Sequence, residues 1–432
     1  MAPSGKAVVL LTALTAIVAA YPGMGRVPGG MTHEEMVAKI TRDSRTGFNG
    51  GAVNGGFNGG PNRGPNGPNA GPNRGPNGSN PGPNNGFNNG FNNGFNNGFN
   101  NGFNNGVTTR AEDNEIIGDL IKVPDNNLSD VGRDVKGILA GNGNAVSDAA
   151  EGSVPDLGSA ECSADKCCVW KHVADEIMPT FRDANGCTDP ARASIRLGFH
   201  DAAGWSKGTG DLGGADGSIV LAPEEIGRPA NDGLADIVEQ MKTWHAKFSE
   251  FGAGMADLIQ FAATTATVAC PGGPRIKTFV GRKDSSVAAP DGLLPDPRDN
   301  ADKLIELFGN KTISAPGLAA LVGAHTSSRQ RFFDPSRANA PQDTTPAVWD
   351  VLFYQETLNA SPGDIVTFPS DIALSKDPRS APAFQAFAQQ APLWGAAYAR
   401  QYLRLSLLGV FNINELTDCT KVLPAGTAAK RS

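Results

Sequence analysis

The chain has 432 residues, enough for two or three domains or for one large domain with an unpacked extension. Gly (54) and Pro (31) make up about a fifth of it while aromatics are only 7%, so part of the chain is not packed core. A net charge of −7 and a pI near 5.4 exclude a general polyanion binder or a basic membrane-surface protein, so no nucleic-acid partner is expected.

Lys6 precedes an apolar run from Ala7 to Ala20 that ends in small residues, the pattern of a cleaved signal peptide over 1–20. The run is too short for an ordinary membrane span, so a secreted, extracellular protein without a span is expected. Sequons at Asn77, Asn127, Asn310 and Asn359 are compatible with glycosylation on that route. From Gly47 to Gly106 the chain is built of Gly-Pro-Asn and Phe-Asn-Asn-Gly units, the latter five times in succession from Phe87. One Phe per tetrad cannot bury enough apolar surface to offset chain entropy, so this stretch is expected to be disordered. It serves either as a flexible spacer or as a sticker for self-association or wall attachment. Residues 107–154 are polar, with short apolar runs at Ile116–Val123 and Val135–Ala140 that suggest small helices. The whole of 21–154 is therefore assigned to low-complexity region and linker, with the globular domain over 155–424 and a tail over 425–432.

Within the domain, Thr188, Asp189 and Pro190 open a helix, with Asp189 expected as its N-cap and a stop near Gly204. Arg196, Phe199 and His200 share one face of it at i, i+3 and i+4. A cation beside His200 and any burial both disfavour imidazolium, leaving a neutral base. A second helix is expected from Ser314, its N-cap, with Leu318, Leu321, Val322 and His325 on one stripe, pointing His325 toward the core. The ordinary reading of each histidine is a satisfied core residue. However, each is followed by an oxygen-rich cluster: the turn over 213–218, which could join Asp201, and the stretch 343–350 together with Thr326. Such sets suit a hard cation of six to eight oxygen ligands.

These motifs, Arg-x-x-Phe-His-Asp, Gly-Ala-Asp-Gly-Ser, Gly-Ala-His-Thr and Asp-Thr-Thr-Pro, occur in order between Cys162 and Pro424. That stretch resembles the secreted haem peroxidases of fungi, the class of the lignin and manganese peroxidases. The resemblance implies a mostly α, two-lobed fold with haem b between the lobes, two Ca²⁺ ions, a monomer, and hydrogen peroxide with small aromatic donors as partners. His325 would be the proximal iron ligand, with Asp371 on its other nitrogen. His200 would be the acid-base group and Arg196 the charge stabiliser. Asn231, supported by Glu225, would fix the His200 tautomer, and Phe199 would wall the pocket.

By the same resemblance the distal calcium would use Asp201, Gly214, Asp216 and Ser218. The proximal one would use Thr326, Asp343, Thr345, Val348 by its carbonyl, and Asp350. The six cysteines, which alone permit 15 pairings, would join as Cys162–Cys168, Cys167–Cys419 and Cys187–Cys270. A further disulfide usual in lignin-degrading members has no partner near Ala381 or Pro382. Positions matching the three carboxylates of a manganese site are Asp189, Ala193 and Arg331, and the position of a surface-exposed oxidisable Trp is Ala320. A generic peroxidase oxidising phenols is therefore expected. The alternative is a non-enzymatic wall-associated or adhesive protein acting through its Asn/Gly/Phe-rich tail.

Overall fold

A computed structural model describes residues 114–150, 152–359 and 363–429. The signal-peptide, repeat and Asn77 sequon readings lie outside these residues. The fold is mostly helical, with two two-stranded antiparallel ribbons among the described residues: Arg182–Asp183 with Gly186–Cys187, and Phe279–Val280 with Thr417–Asp418. The longer helices are α1 (Asp130–Leu139), α2 (Cys168–Phe181), α3 (Asp189–Ala202), α4 (Ala235–Phe248), α5 (Met255–Ala269), α6 (Ala301–Gly309), α7 (Ala315–Val322), α8 (Leu352–Leu358), α9 (Pro369–Lys376), α10 (Ala381–Gln389) and α11 (Ala391–Leu405).

Helix α5 is buried on every side, as an all-round apolar sequence requires, and forms the post against which α2, α3 and α4 pack. Its polar groups are answered locally: Gln260 donates to the Gly198 carbonyl at 3.0 Å, and Asp257 pairs with Arg282 at 2.9 Å. Gly198 permits the close crossing of α3 and α5, because a Cβ there would sit 2.7 Å from Ala263 Cβ. The second half packs α7 against α10 and α11. There Gly323 does the same service, since a Cβ would lie 2.3 Å from the Tyr354 hydroxyl and 2.5 Å from the Trp394 ring nitrogen.

The disulfides join Cys162 to Cys168, Cys167 to Cys419 and Cys187 to Cys270, and no cysteine is free among the described residues. The second ties the start of α2 to the chain's far end. Asn127, Asn310 and Asn359 are exposed, as a glycan would require.

The domain starts earlier than expected. Residues 114–149 are folded onto it, so the boundary at 155 is corrected upstream to about Asn114. Ser129 caps α1 through the Gly132 N–H, and Val135, Ile138 and Leu139 turn one apolar face of that helix fully into the core. The Asp119 carboxylate accepts from the Ile413 and Asn414 N–H groups at 2.7 and 3.1 Å. Val146 bridges to Ile276 as a strand would. Buried Arg404 donates to the Glu115 carbonyl at 2.8 Å, and Arg275 donates to the Ser147 and Ala149 carbonyls, both at 2.7 Å. Polar composition concealed this segment: its apolar residues are few, but nearly all of them face inward.

Candidate active site

Helix α3 is capped by Thr188, whose hydroxyl accepts from the Ala191 N–H, rather than by Asp189, and it ends at Ala202 with Ala203 as its C-cap, next to the expected stop at Gly204. Asp189 instead lies in the first turn and bonds Arg192 at 2.7 Å, a side-chain pairing that competes with capping. The helix delivers Arg196, Phe199, His200 and Asp201 as a set. His200 is buried, and its Nδ1 lies 2.8 Å from Asn231 Oδ1. The Asn231 amide nitrogen donates to the Glu225 main-chain carbonyl at 2.8 Å, so its oxygen must face the histidine. Nδ1 therefore carries the proton, and Nε2 is left with its lone pair. Glu225 supports Asn231 by its backbone, while its carboxylate accepts from the Ala289 N–H at 2.8 Å.

Arg196 Nε donates to His200 Nε2 at 3.1 Å, and its terminal nitrogens hold the Asp232 and Ala230 carbonyls at 2.8 and 3.3 Å. Burial, then the Arg196 charge, hold the His200 imidazolium down to about 3, against a smaller opposing effect of Asn231. Burial likewise lowers the Arg196 guanidinium to about 10, which leaves it cationic at neutral pH. Phe199 meets the His200 ring edge-on at 5.4 Å and stacks on Phe308. A pocket reaches His200 and Asn231 between Arg228 and the Pro290–Leu294 loop.

Ser314 caps α7 as expected, but the α-helix stops at Val322 and His325 rides on a following 3-10 turn, Gly323–Ser327. The tighter turn takes His325 off the apolar stripe. Its side chain is 32% exposed rather than enclosed in the core. The ring is braced edge-on by Phe353 and Phe368. Its Nδ1 lies 3.3 Å from both oxygens of fully buried Asp371. No protein group among the described residues bonds its Nε2. A histidine fixed at one nitrogen and open at the other is the donor that a haem iron takes, so the site fits that group. Gln342 also reaches this pair and was not singled out from the sequence. Its amide nitrogen is 3.3 Å from Asp371 Oδ2 and 3.4 Å from His325 Nδ1. Its place beside Asp343 was the only signal.

The two oxygen clusters are assembled. In the first, Asp201 and Ser218 are fully buried, and Asp201 Oδ1 and Ser218 Oγ have no hydrogen-bond partner. Gly214 has φ +113°, and a Cβ there would lie 2.3 Å from the Leu408 carbonyl oxygen, so only glycine passes the chain this close. Burial, and then the charges of Asp216 and Glu225, push the Asp201 carboxyl well up, and burial raises Asp216. In the second, the Thr326 hydroxyl donates to Asp343 at 2.5 Å and the Thr345 hydroxyl to Asp350 at 2.9 Å. Burial raises Asp343 to about 7 and Asp350 in the same direction. Val348 lies in the same turn, its N–H on the Thr345 carbonyl at 2.9 Å. The first cluster's orphaned oxygens, and in both clusters buried carboxylates set close together, make donor sets that fit a hard cation such as calcium.

Residues 173–390 match the peroxidase family. The chain is 33% identical over 299 residues to a peroxidase of Arthromyces ramosus, covering 64% of this chain and 81% of that protein. It is 32% identical over 280 residues to versatile peroxidase VPS1 of Pleurotus eryngii, covering 60% and 75%. It is 30% identical over 285 residues to manganese peroxidase H4 of Phanerodontia chrysosporium, covering 60% and 74%.

Proposed function

Because this chain belongs to the peroxidase family, and is a haem peroxidase that uses hydrogen peroxide to oxidise other molecules, we propose that its donors are small phenols and similar aromatics, oxidised one electron at a time. With the family established, the adhesive, non-enzymatic reading loses its ground. The observation that carries the peroxide half of the reaction is the Glu225–Asn231–His200–Arg196 chain, which holds a neutral imidazole with its basic nitrogen beside a cation, while the donor half rests on the carboxylates that a manganese site would need and this chain lacks at Ala193 and Arg331.

Haem b, held through His325 Nε2, would supply the iron on which the O–O bond of peroxide is cleaved and through which electrons leave the donor. His200 Nε2 takes the proton from the oxygen of peroxide that binds and returns it to the oxygen that departs as water. Positioned proton transfer of this kind is commonly worth about 10² to 10⁴ in rate. Asn231 keeps that nitrogen available by holding the other proton at Nδ1. Arg196 stabilises negative charge as the O–O bond lengthens: its terminal nitrogens stay anchored on the Asp232 and Ala230 carbonyls while its Nε gives up His200 Nε2 to the peroxide proton. Phe199 excludes water from the face of His200. Asp371 accepts from Nδ1 of His325 and fixes the ring.

The two clusters would each hold a Ca²⁺. Asp201 follows His200 directly in the last turn of α3, and Thr326 follows His325 directly, so each ion would anchor the segment carrying an essential histidine. Three disulfides point to folding in an oxidising compartment, in keeping with secretion. No helix among the described residues is long and apolar enough to cross a membrane.

The test is to purify the haem-loaded protein, record its reaction with hydrogen peroxide by stopped flow, and follow turnover of a simple phenol. A His200→Ala variant that reacts with peroxide as fast as the parent would overturn the assignment.

A further inference from the structure

Gln342 is buried at the one point where the His325 and Asp371 side chains meet. His325 Nδ1 and the Gln342 amide nitrogen converge on the same oxygen, Asp371 Oδ2, each at 3.3 Å. They stand 3.4 Å from each other. With Nε2 of His325 directed outward, its Nδ1 carries a hydrogen, so two donors lie side by side. That contact is favourable only because both share one acceptor. The amide cannot turn round at small cost, since its carbonyl oxygen would then face a buried carboxylate. The present orientation is also held from behind, where the Ser328 hydroxyl lies 2.5 Å from Gln342 Oε1.

A carboxylate that accepts from two donors is a weaker base toward each. Its hold on the Nδ1 proton of a ligating histidine sets how much imidazolate character the ring has, and hence how far the iron is stabilised in its oxidised state. We propose that Gln342 is a positioning residue for the peroxidase reaction: by donating to Asp371 it draws carboxylate charge away from His325 and raises the reduction potential of the iron that His325 would bind. The proposal rests on the reading of His325 as iron ligand.

Both claims are tested on haem-loaded full-length protein by spectroelectrochemical titration of the ferric/ferrous couple and by the iron–imidazole stretching band of the ferrous form. In Gln342→Met, which keeps the volume and removes the donor, the potential moves negative and the stretching frequency rises. Ser328→Ala, which frees the amide from behind, moves both in the same direction by less. It carries the test if the methionine variant does not load haem. Unchanged potentials, or shifts of opposite sign, in the haem-loaded variants overturn the role of Gln342. The ligand reading fails separately, if His325→Ala retains haem together with the parental stretching band.

Discussion

Nδ1 of His200 stands 2.8 Å from Oδ1 of Asn231, whose own orientation is fixed by its bond to the Glu225 carbonyl. Removing the acceptor without adding charge, as in Asn231→Val, leaves the Nδ1–H buried without a partner and lets the ring change tautomer. The expected loss in the peroxide-binding rate is about tenfold to several hundredfold, near the lower range for positioned proton transfer. Stopped-flow rates against peroxide concentration measure it, and an undiminished second-order rate refutes the relay.

The two histidines should fail in different ways. His200→Ala removes a base and leaves the protein able to retain haem, with peroxide cleavage nearly abolished. His325→Ala removes the one nitrogen open to the iron and should lower haem retention itself. Soret absorbance per protein after gel filtration separates the two outcomes, and equal haem loss in both variants contradicts the roles.

The rate with peroxide should be independent of pH over the neutral and mildly acidic range. His200 titrates only near 3 because burial and the Arg196 charge both disfavour its imidazolium. The neutral form is the base, so activity falls as pH drops through that value. In Arg196→Leu the cation is gone, the imidazolium is less disfavoured, and the acid limb moves to higher pH. A pH–rate profile of both proteins checks the direction; an acid limb unmoved by the substitution would show that Arg196 does not act on His200.

Calcium removal should be most harmful at neutral pH. Without a cation, burial raises the Asp343 carboxyl from its ordinary value to about 7, so the folded state binds that proton more tightly than the unfolded chain does. The cation-free protein is thus favoured at acid pH and loses that contribution as pH rises from about 4 to about 7. The ion requires the deprotonated carboxylate and supplies the missing counter-charge. The increase in Tm on adding calcium to chelator-treated protein should therefore grow from about pH 4.5 to about pH 7.5. A calcium increment that shrinks across this range would count against the second cluster as a cation site.

Why the site could be read before the fold boundary is a matter of what each signal depends on. Arg196, Phe199, His200 and Asp201 are close in sequence and lie on one helix, so local spacing places them together. The links between Asn231 and Glu225, six residues apart, or His325 and Asp371, 46 apart, needed a family resemblance, because no helical spacing relates either pair. Gln342 escaped because its role comes from a loop brought back under His325, and a lone glutamine has no spacing signature. The cap at Thr188 was missed because Asp189 found Arg192 within its own turn. The 3-10 turn at His325 was missed because helical periodicity continues through it, while packing of Gly323 against Tyr354 and Trp394 tightens the chain. Residues 114–149 gave only short apolar runs, and their docking relies on main-chain carbonyls offered to Arg275, Arg400 and Arg404. Carbonyls are present in every sequence, so composition cannot reveal that use.

The packing of that segment fixes where the chain can be shortened. A chain beginning at Asn114 keeps Ile117, Leu120, Leu128, Val135, Ile138 and Leu139, all buried. One beginning at Ser153 loses them, at about 1.5–3 kcal/mol for each large side chain, and leaves buried Arg404 without the Glu115 and Leu139 carbonyls. The first should retain parental Tm and phenol turnover, and the second should be insoluble or strongly destabilised. A soluble Ser153 form melting within a few degrees of the parent would return the boundary to 155.

The donor preference follows from charge. Asp189, the one carboxylate remaining of the three that a manganese site would use, is bonded to Arg192 at 2.7 Å and lies 3.9 Å from Arg329. Burial raises its pKa, but Arg192, Arg329 and Arg331 together outweigh that and hold it below its ordinary value. Each arginine that draws Asp189 toward ionisation also repels a divalent cation, by roughly 2 kcal/mol at 4 Å even at the dielectric of water. The other two positions are Ala193 and Arg331, which offer no carboxylate. For bulky aromatics, the position of a surface Trp is Ala320, which is buried, and Trp170, Trp244, Trp349 and Trp394 are buried as well. Only Trp205 is partly exposed, and its ring nitrogen is bonded to the Gly210 carbonyl. Simple phenols should therefore be oxidised readily, Mn²⁺ without saturation, and non-phenolic aromatics slowly. Steady-state assays with Mn²⁺, a phenol and a non-phenolic benzylic alcohol check all three: saturable Mn²⁺ oxidation at micromolar concentration refutes the electrostatic argument, and efficient alcohol oxidation abolished by Trp205→Phe refutes the aromatic one.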